Sequence, residues 1–298
     1  MNKYRFTIIG GDRRMVSLAK FLVARGHIVA MCLCCDEASQ LSDVSLRRNL
    51  PEAIASAEIL VLPMPISRDG SHIITNLPSE ESPLLCEVLR HAKNSDVRHI
   101  LGGNITEKIR SIANDEGVQI FDYSLSERFL QRNAEATAEG SIMIAMENID
   151  RTLGGSDILI GGFGRIGKYL AKLLCSMGAR VWIAARRQEV LEEIISCGYK
   201  GVDLNDTDAL RGAIRECGLI FNTVPSLIFR GEHFTRGIKN TYIELASCPG
   251  GIDLRSAREI GVSVIFAPSL PGRCFPDSAG EYIFESICKS LEKEDINV

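Results

Sequence analysis

The chain has 298 residues, 45% of them hydrophobic and 24% charged, with a net charge of -4 and a pI near 5.8. That composition is too apolar for disorder and long enough for two domains of roughly 150 residues each. The acidic balance excludes a basic nucleic-acid face, and no apolar run approaches the ~20 residues of a bilayer span.

The predicted elements alternate strand and helix from the start. Tyr4 to Ile9 reads as a buried strand and Arg13 to Ala24 as a helix. Strands follow at His27 to Leu33 and Glu58 to Leu62. A helix at Pro83 to Ala92, a strand at Val97 to Leu101, a helix at Thr106 to Asn114 and a strand at Val118 to Phe121 complete the first half. Such alternation predicts a parallel, doubly wound sheet. The proline-rich stretch from Pro63 to Pro83 predicts a long loop over the carboxyl ends of these strands, where ligands usually sit.

Ala134, Ala138, Ile142, Ala145 and Ile149 recur at helical spacing, so Asn133 to Arg151 predicts a long helix bridging two domains. The alternation then restarts: strand Asp157 to Ile160, helix Arg165 to Met177, strand Arg180 to Ala184 and helix Glu189 to Cys197. Further strands are expected at Leu219 to Asn222, Thr241 to Leu245 and Val262 to Phe266, with a closing helix from Ala279 to Leu291. The expected architecture is therefore α/β, with two doubly wound parallel-sheet domains. Residues 1–132 form a flavodoxin- or Rossmann-like substrate domain; residues 133–298 hold the bridging helix, a dinucleotide-binding Rossmann fold and the closing helix.

The strongest motif is Gly162-Phe163-Gly164-Arg165-Ile166-Gly167, which follows an apolar strand and opens an amphipathic helix. In that context G-x-G-x-x-G predicts a nicotinamide dinucleotide, with its pyrophosphate on the helix N-terminus. The next strand ends in Ala185, Arg186 and Arg187. An NAD site places a carboxylate near this position, whereas arginine pairs with the 2′-phosphate of NADP. NADP is the favoured cofactor and NAD the alternative; the two arginines also suit a solvated helix start or an adenine-stacking role. Asn222-Thr223-Val224-Pro225 ends the fourth strand and is expected to line the nicotinamide side.

Ten cysteines in a chain of this size read as buried or edge thiols. The Cys32-Leu33-Cys34-Cys35 cluster has no second ligand pair, so no metal is expected. The N-terminus shows no h-region with a cleavage site, and a cytoplasmic protein without membrane or nucleic-acid partners is expected.

These motifs together resemble the A-type subunit of dipicolinate synthase and, more distantly, the D-2-hydroxyacid and alanine dehydrogenases. The resemblance rests on Gly10-Gly11-Asp12-Arg13-Arg14, Asn133-Ala134, Thr137-Ala138-Glu139-Gly140, the glycine fingerprint and Asn222 to Pro225. It extends to Ala246-Ser247-Cys248-Pro249-Gly250-Gly251-Ile252-Asp253 and Leu270-Pro271-Gly272-Arg273, but departs at Asp277 and Ser278, where Lys and Thr are expected. It implies oxidation of a dihydro- or hydroxytetrahydro-dipicolinate to dipicolinic acid during sporulation, in a mother cell. It further implies the B-type subunit of dipicolinate synthase as partner, and a homo-oligomer is expected. The alternatives are an amino-acid or hydroxy-acid dehydrogenase and a non-catalytic nucleotide-binding protein.

A dicarboxylate needs cations and N–H donors to replace its water. Gly11, Asp12, Arg13, Arg14, Asn133, Thr137, Ser247 and Arg273 are the expected substrate residues. The acid or base is not evident. No histidine stands beside a carboxylate in an obvious pair; Glu139 is the candidate and His233 a weaker one.

Overall fold

The structure, a computed structural model, describes residues 3–78, 81–235, 237 and 239–296. It divides into two compact units, Met1–Asn133 with Pro271–Val298, and Ala134–Leu270. In chain order the first unit opens with β1 (Arg5–Ile9), α1 (Arg13–Ala24), β2 (Ile28–Cys32), β3 (Val44–Arg47), α2 (Leu50–Ala55) and β4 (Ile59–Val61). It continues with α3 (Leu85–Lys93), β5 (His99–Gly102), α4 (Glu107–Glu116) and β6 (Ile120–Asp122). The boundary between the units falls within α5 (Glu127–Asn148).

The second unit holds β7 (Asp157–Gly161), α6 (Arg165–Ser176), β8 (Arg180–Ala185), α7 (Gln188–Ser196), β9 (Lys200–Asp203) and α8 (Thr207–Glu216). It ends with β10 (Leu219–Asn222), β11 (Thr241–Glu244), α9 (Leu254–Ile260) and β12 (Ser263–Phe266). A short α10 (Leu270–Cys274) leads to the closing α11 (Pro276–Glu292).

Every described strand pairing is parallel. The first sheet runs β3-β2-β1-β4-β5-β6 and the second β12-β11-β10-β7-β8-β9. Both are the Rossmann order, 3-2-1-4-5-6, so the first unit is Rossmann-like and not flavodoxin-like. Each sheet reverses direction of winding beside its first strand, between β1 and β4 and between β7 and β10. Ligands of open α/β sheets bind at such points, outside the carboxyl ends of the strands.

Local chemistry sets the element ends. Asp12 caps α1 by accepting from the Arg14 amide, Thr106 caps α4, and Asp206 caps α8. The strand centres are continuously apolar: Phe6, Ile8, Val61 and Leu101 pack with Leu18 and Leu22 of α1. Leu159, Ile220 and Tyr242 pack with Leu210 and Ile214 of α8 in the second unit.

The closing helix departs from the expected domain plan. It packs in the first unit, where Ile283, Phe284 and Ile287 join the core of α1. A Cβ on Gly280 would stand 2.4 Å from the Ser17 Cβ, so the two helices meet backbone to backbone. Ser17 also donates a hydrogen bond to the Asp277 carboxylate. The long helix α5 starts earlier than expected, at Glu127, and ends at Asn148. Two edge strands, β3 and β9, and the helices α2 and α8 were not anticipated.

Candidate functional site

The glycine fingerprint lies at the winding reversal of the second sheet. Gly162 adopts φ +95°, a region that side chains avoid, and a Cβ there would stand 2.6 Å from Val224 Cγ2. A Cβ on Gly167 would stand 2.3 Å from the Gly162 carbonyl oxygen, so the first turn of α6 can sit against the loop only with glycine. A Cβ on Gly164 would meet nothing within 4 Å; the space above it is open. Gly164 begins α6 and no side chain caps that helix start. Turn, close packing and an uncapped helix end form a cradle suited to an anion. Phe163 and Lys168 stack beside it, and Lys168 Nζ lies 2.5 Å from Glu193 Oε1.

The loop after β10 closes the other side. Thr223 donates from both N and Oγ1 to the Gly161 carbonyl, at 2.9 and 2.8 Å. Thus Gly162, Thr223 and Val224 come together, while Pro225 is exposed.

The organiser of this loop is a residue that no sequence motif marks. Glu244, only 2% exposed, ends β11 beside Asn222 in the strand register. Its Oε1 accepts from Asn222 Nδ2 at 2.7 Å and Ala246 N at 3.1 Å. Its Oε2 accepts from Gly251 N at 2.7 Å and Tyr242 Oη at 3.1 Å. Asn222 then holds Val224 through both backbone groups. Gly251 is required here, because a Cβ would lie 2.2 Å from Asn222 Nδ2. Burial, with the neighbouring carboxylate, pushes the Tyr242 hydroxyl far above its ordinary range. The Asn-Thr loop and the Pro-Gly-Gly loop were each visible as motifs, but not the carboxylate that ties them.

At the tip of β8, Ala185 is buried and Arg186 and Arg187 are exposed. The neighbouring carboxylate, Asp203, is paired in register with Ala185 and is engaged by Asn205 through its N and Nδ2 at 2.8 and 2.9 Å. Asn205 also holds the Arg186 carbonyl at 3.1 Å.

The first unit treats its expected substrate residues differently. Gly11 donates its N–H to the Ile74 carbonyl at 2.8 Å, so that amide does not face a ligand carboxylate. Arg14 is buried; its Nε and Nη2 grip Asp12 at 2.8 Å each, and Nη2 reaches the Met64 carbonyl at 2.6 Å. Asp12 is held below the ordinary carboxylate range: burial opposes this, but the Arg14 hydrogen bond and charge outweigh it. The expectation of an open cation at Arg14 therefore gives way to a buried guanidinium paired with a half-exposed carboxylate. Arg13 is exposed, 3.5 Å from Glu37. Arg273 is exposed and Asn133 half-buried; of those expected in the second unit, Ser247 is exposed and Thr137 buried on α5.

Glu139 is exposed on α5. His233 is buried, accepts from the Arg230 amide through Nδ1, and is pushed down in pKa by that burial; it is a structural residue. By contrast, the loop between β4 and α3 contains a histidine–carboxylate pair that the sequence pattern does not reveal: His72 Nδ1 lies 2.6 Å from Asp69 Oδ2.

All ten cysteines are free. Burial pushes Cys32 and Cys35 up to about 11, which leaves the C-x-x-C thiols unreactive. Cys175, Cys197 and Cys248 are exposed. Among the described residues no cluster of metal-ligating side chains occurs, and no helix is long and apolar enough to cross a membrane.

Residues 5–124 match the family described as the N-terminal domain of the dipicolinate synthase A-type subunit. The whole chain is similar to the A-type subunit of dipicolinate synthase from Bacillus subtilis strain 168, 26% identical over 293 residues, covering 96% of this chain and 95% of that protein. The crystal structure of the corresponding subunit from Bacillus halodurans superposes with a TM-score of 0.82 at 23% identity, covering 97% of each chain. The D-lactate dehydrogenase of Escherichia coli shares the fold more distantly, with a TM-score of 0.63 at 14% identity over 99% of this chain and 98% of that one. The chain thus resembles this dipicolinate synthase component from end to end, and the dehydrogenases in fold.

Proposed function

We propose that this chain oxidises a dihydro-dipicolinate, or a hydroxytetrahydro-dipicolinate that also loses water, to pyridine-2,6-dicarboxylate, with a nicotinamide nucleotide held by the second unit. The observation that carries the reading is the cradle at Gly162, Gly164 and Gly167, in a chain similar along its length to a dipicolinate synthase component. The residues fit the cofactor: the open space above Gly164 and the uncapped start of α6 suit a pyrophosphate. Bound there, the nicotinamide supplies a hydride acceptor.

The chain's own residues set the rest. Thr223 and Val224, fixed through Asn222 and Glu244, form the wall toward the nicotinamide. Arg186 and Arg187 stand where NAD enzymes keep a carboxylate, and the nearby Asp203 is turned onto Asn205; this favours NADP over NAD. Arg13 and Arg273, exposed in the first unit, are cations proposed for one carboxylate of the substrate. The reading extends to the B-type partner of such synthases, to a homo-oligomer and to a cytoplasmic site of action in a sporulating mother cell.

Titration of the purified full chain with NADP and NAD by calorimetry, followed by turnover with freshly generated dihydrodipicolinate, tests the reading. NADP binding tighter than NAD is expected, with nucleotide reduction followed by absorbance. No binding of either nucleotide removes the enzymatic assignment. Turnover that appears only with a flavoprotein-like partner locates part of the active site on that partner.

A further inference from the structure

The loop between β4 and α3 lies over the carboxyl ends of the first sheet. Gly11 N donates to Ile74 O, Ile66 N to Gly103 O and Asn76 N to Leu33 O, so the loop is stitched to the ends of β1, β5 and β2. It frames a pocket of about 170 Å³ whose lining includes Arg68, Asp69, His72, Thr75 and Ser82. The lining comes wholly from this loop, which is tied by Ile74 to the turn after β1, the strand beside the winding reversal where such folds place ligands.

Three features of the pocket are chemical. Asp69 accepts from Ser67 Oγ, Ser71 N and His72 N at 2.8–2.9 Å, besides the His72 ring. Those bonds, the His72 ring bond foremost, hold its carboxyl far below the ordinary range, so it is an acceptor only. His72 therefore donates through Nδ1, so that in the neutral ring the lone pair is the one on Nε2. Nε2 has no hydrogen-bond partner among the described residues. Arg68 is exposed and makes no hydrogen bond or ion pair with a described residue. Thr75 and Ser82 hydroxyls, 2.7 Å apart, add polar groups to the wall.

We infer that this pocket is a small-carboxylate site, in which Arg68 takes the ligand carboxylate and His72, oriented by Asp69, accepts a proton from the ligand. An oriented imidazole with a free Nε2 is the arrangement general bases use. An unpaired guanidinium beside it selects a carboxylate by a two-point contact. The inference deepens the proposed function, on which it rests for the identity of the ligand: ring oxidation releases one proton with each hydride. The proton passes to Nε2, giving an imidazolium paired with Asp69, and the electron pair stays on the ligand.

The test uses the full chain and pyridine-2,6-dicarboxylate as probe. Calorimetry of R68A and R68M should show dicarboxylate affinity reduced at least tenfold, with the circular dichroism of the parent. The His72 ring resonance of the parent should move on saturation. H72N keeps an amide donor for Asp69 while removing Nε2; it should still bind the probe, yet turn over at least a hundredfold more slowly. Parent-like probe binding by both Arg68 variants, an unmoved His72 resonance, or no probe binding by the parent overturns the inference. NADP binding, followed separately by NADPH fluorescence, distinguishes the two readings: its loss with probe binding intact removes only the nucleotide assignment.

Discussion

Replacing Glu244 by glutamine should unfold the second unit more easily, by an amount the structure allows one to work out. The carboxylate accepts four hydrogen bonds at 2.7–3.1 Å in a site 2% exposed. A glutamine must present an NH2 to one pair of those donors. Facing Gly251 and Tyr242, it orphans the Gly251 amide, while the tyrosine hydroxyl turns to accept. Facing Asn222 and Ala246, it orphans two N–H groups, and an Asn222 flip would forfeit its bonds to Val224. One or two charge-assisted bonds lost at about 1.5–3 kcal/mol each, less some relief of the buried charge, give about 2–4 kcal/mol. With a urea slope of about 2 kcal/mol/M, the midpoint should fall by about 1–2 M. Trp182, the sole tryptophan, sits in β8 and reports this unit by fluorescence. E244Q is a sharper test than E244A, whose cavity would admit water to the same donors. A midpoint unchanged within error would refute the claim that the carboxylate ties the two loops together.

The cradle makes a contrast within three glycines. G164A should fold like the parent but lose nucleotide affinity at least tenfold, since its Cβ enters open space that the pyrophosphate needs; calorimetry checks this. G167A should lower the stability of the second unit as well, because its Cβ strikes the Gly162 carbonyl. Charge reversal at Arg186 and Arg187 should weaken NADP far more than NAD, read as a change in the ratio of their dissociation constants; equal losses would point to adenine stacking. Asp157 is held below its ordinary pKa of 3.8, chiefly by its Arg180 hydrogen bond, so its contribution is present above that pH and lost as pH falls below it. D157N should therefore flatten the acid limb of the Trp182 unfolding curve. R14M, which removes the buried partner of Asp12, should destabilise the first unit by about 1.5–3 kcal/mol, measured by thermal unfolding.

Much of the fold was legible before the structure. Buried parallel strands are continuous apolar runs, and the helices between them carry a 3.6-residue stripe, so β1, α1, β7, α6 and β10 showed themselves locally. The glycine fingerprint was legible for the same reason, since its demands on φ and close packing act within six residues. Two of the four edge strands were hidden: in β3 no residue is buried, and in β9 only Val202 is. Val-Ser-Leu-Arg and Lys-Gly-Val-Asp carry too few apolar residues to mark a strand, unlike Ser-Val-Ile-Phe at the opposite edge of the second sheet.

What the amino-acid order determined by itself was the two-fold alternation, the glycine turn ahead of α6 and the absence of a carboxylate at the tip of β8. Only the tertiary structure decided that α11 packs on α1, that Arg14 is spent on Asp12 and Met64, and that Glu244 gathers donors from three separate segments. It also decided that His72 faces Asp69, because an irregular loop sets its own torsions. Periodicity records which side of an element meets the core. It carries no record of which polar groups, distant in sequence or held in an irregular turn, must satisfy one another once water is gone.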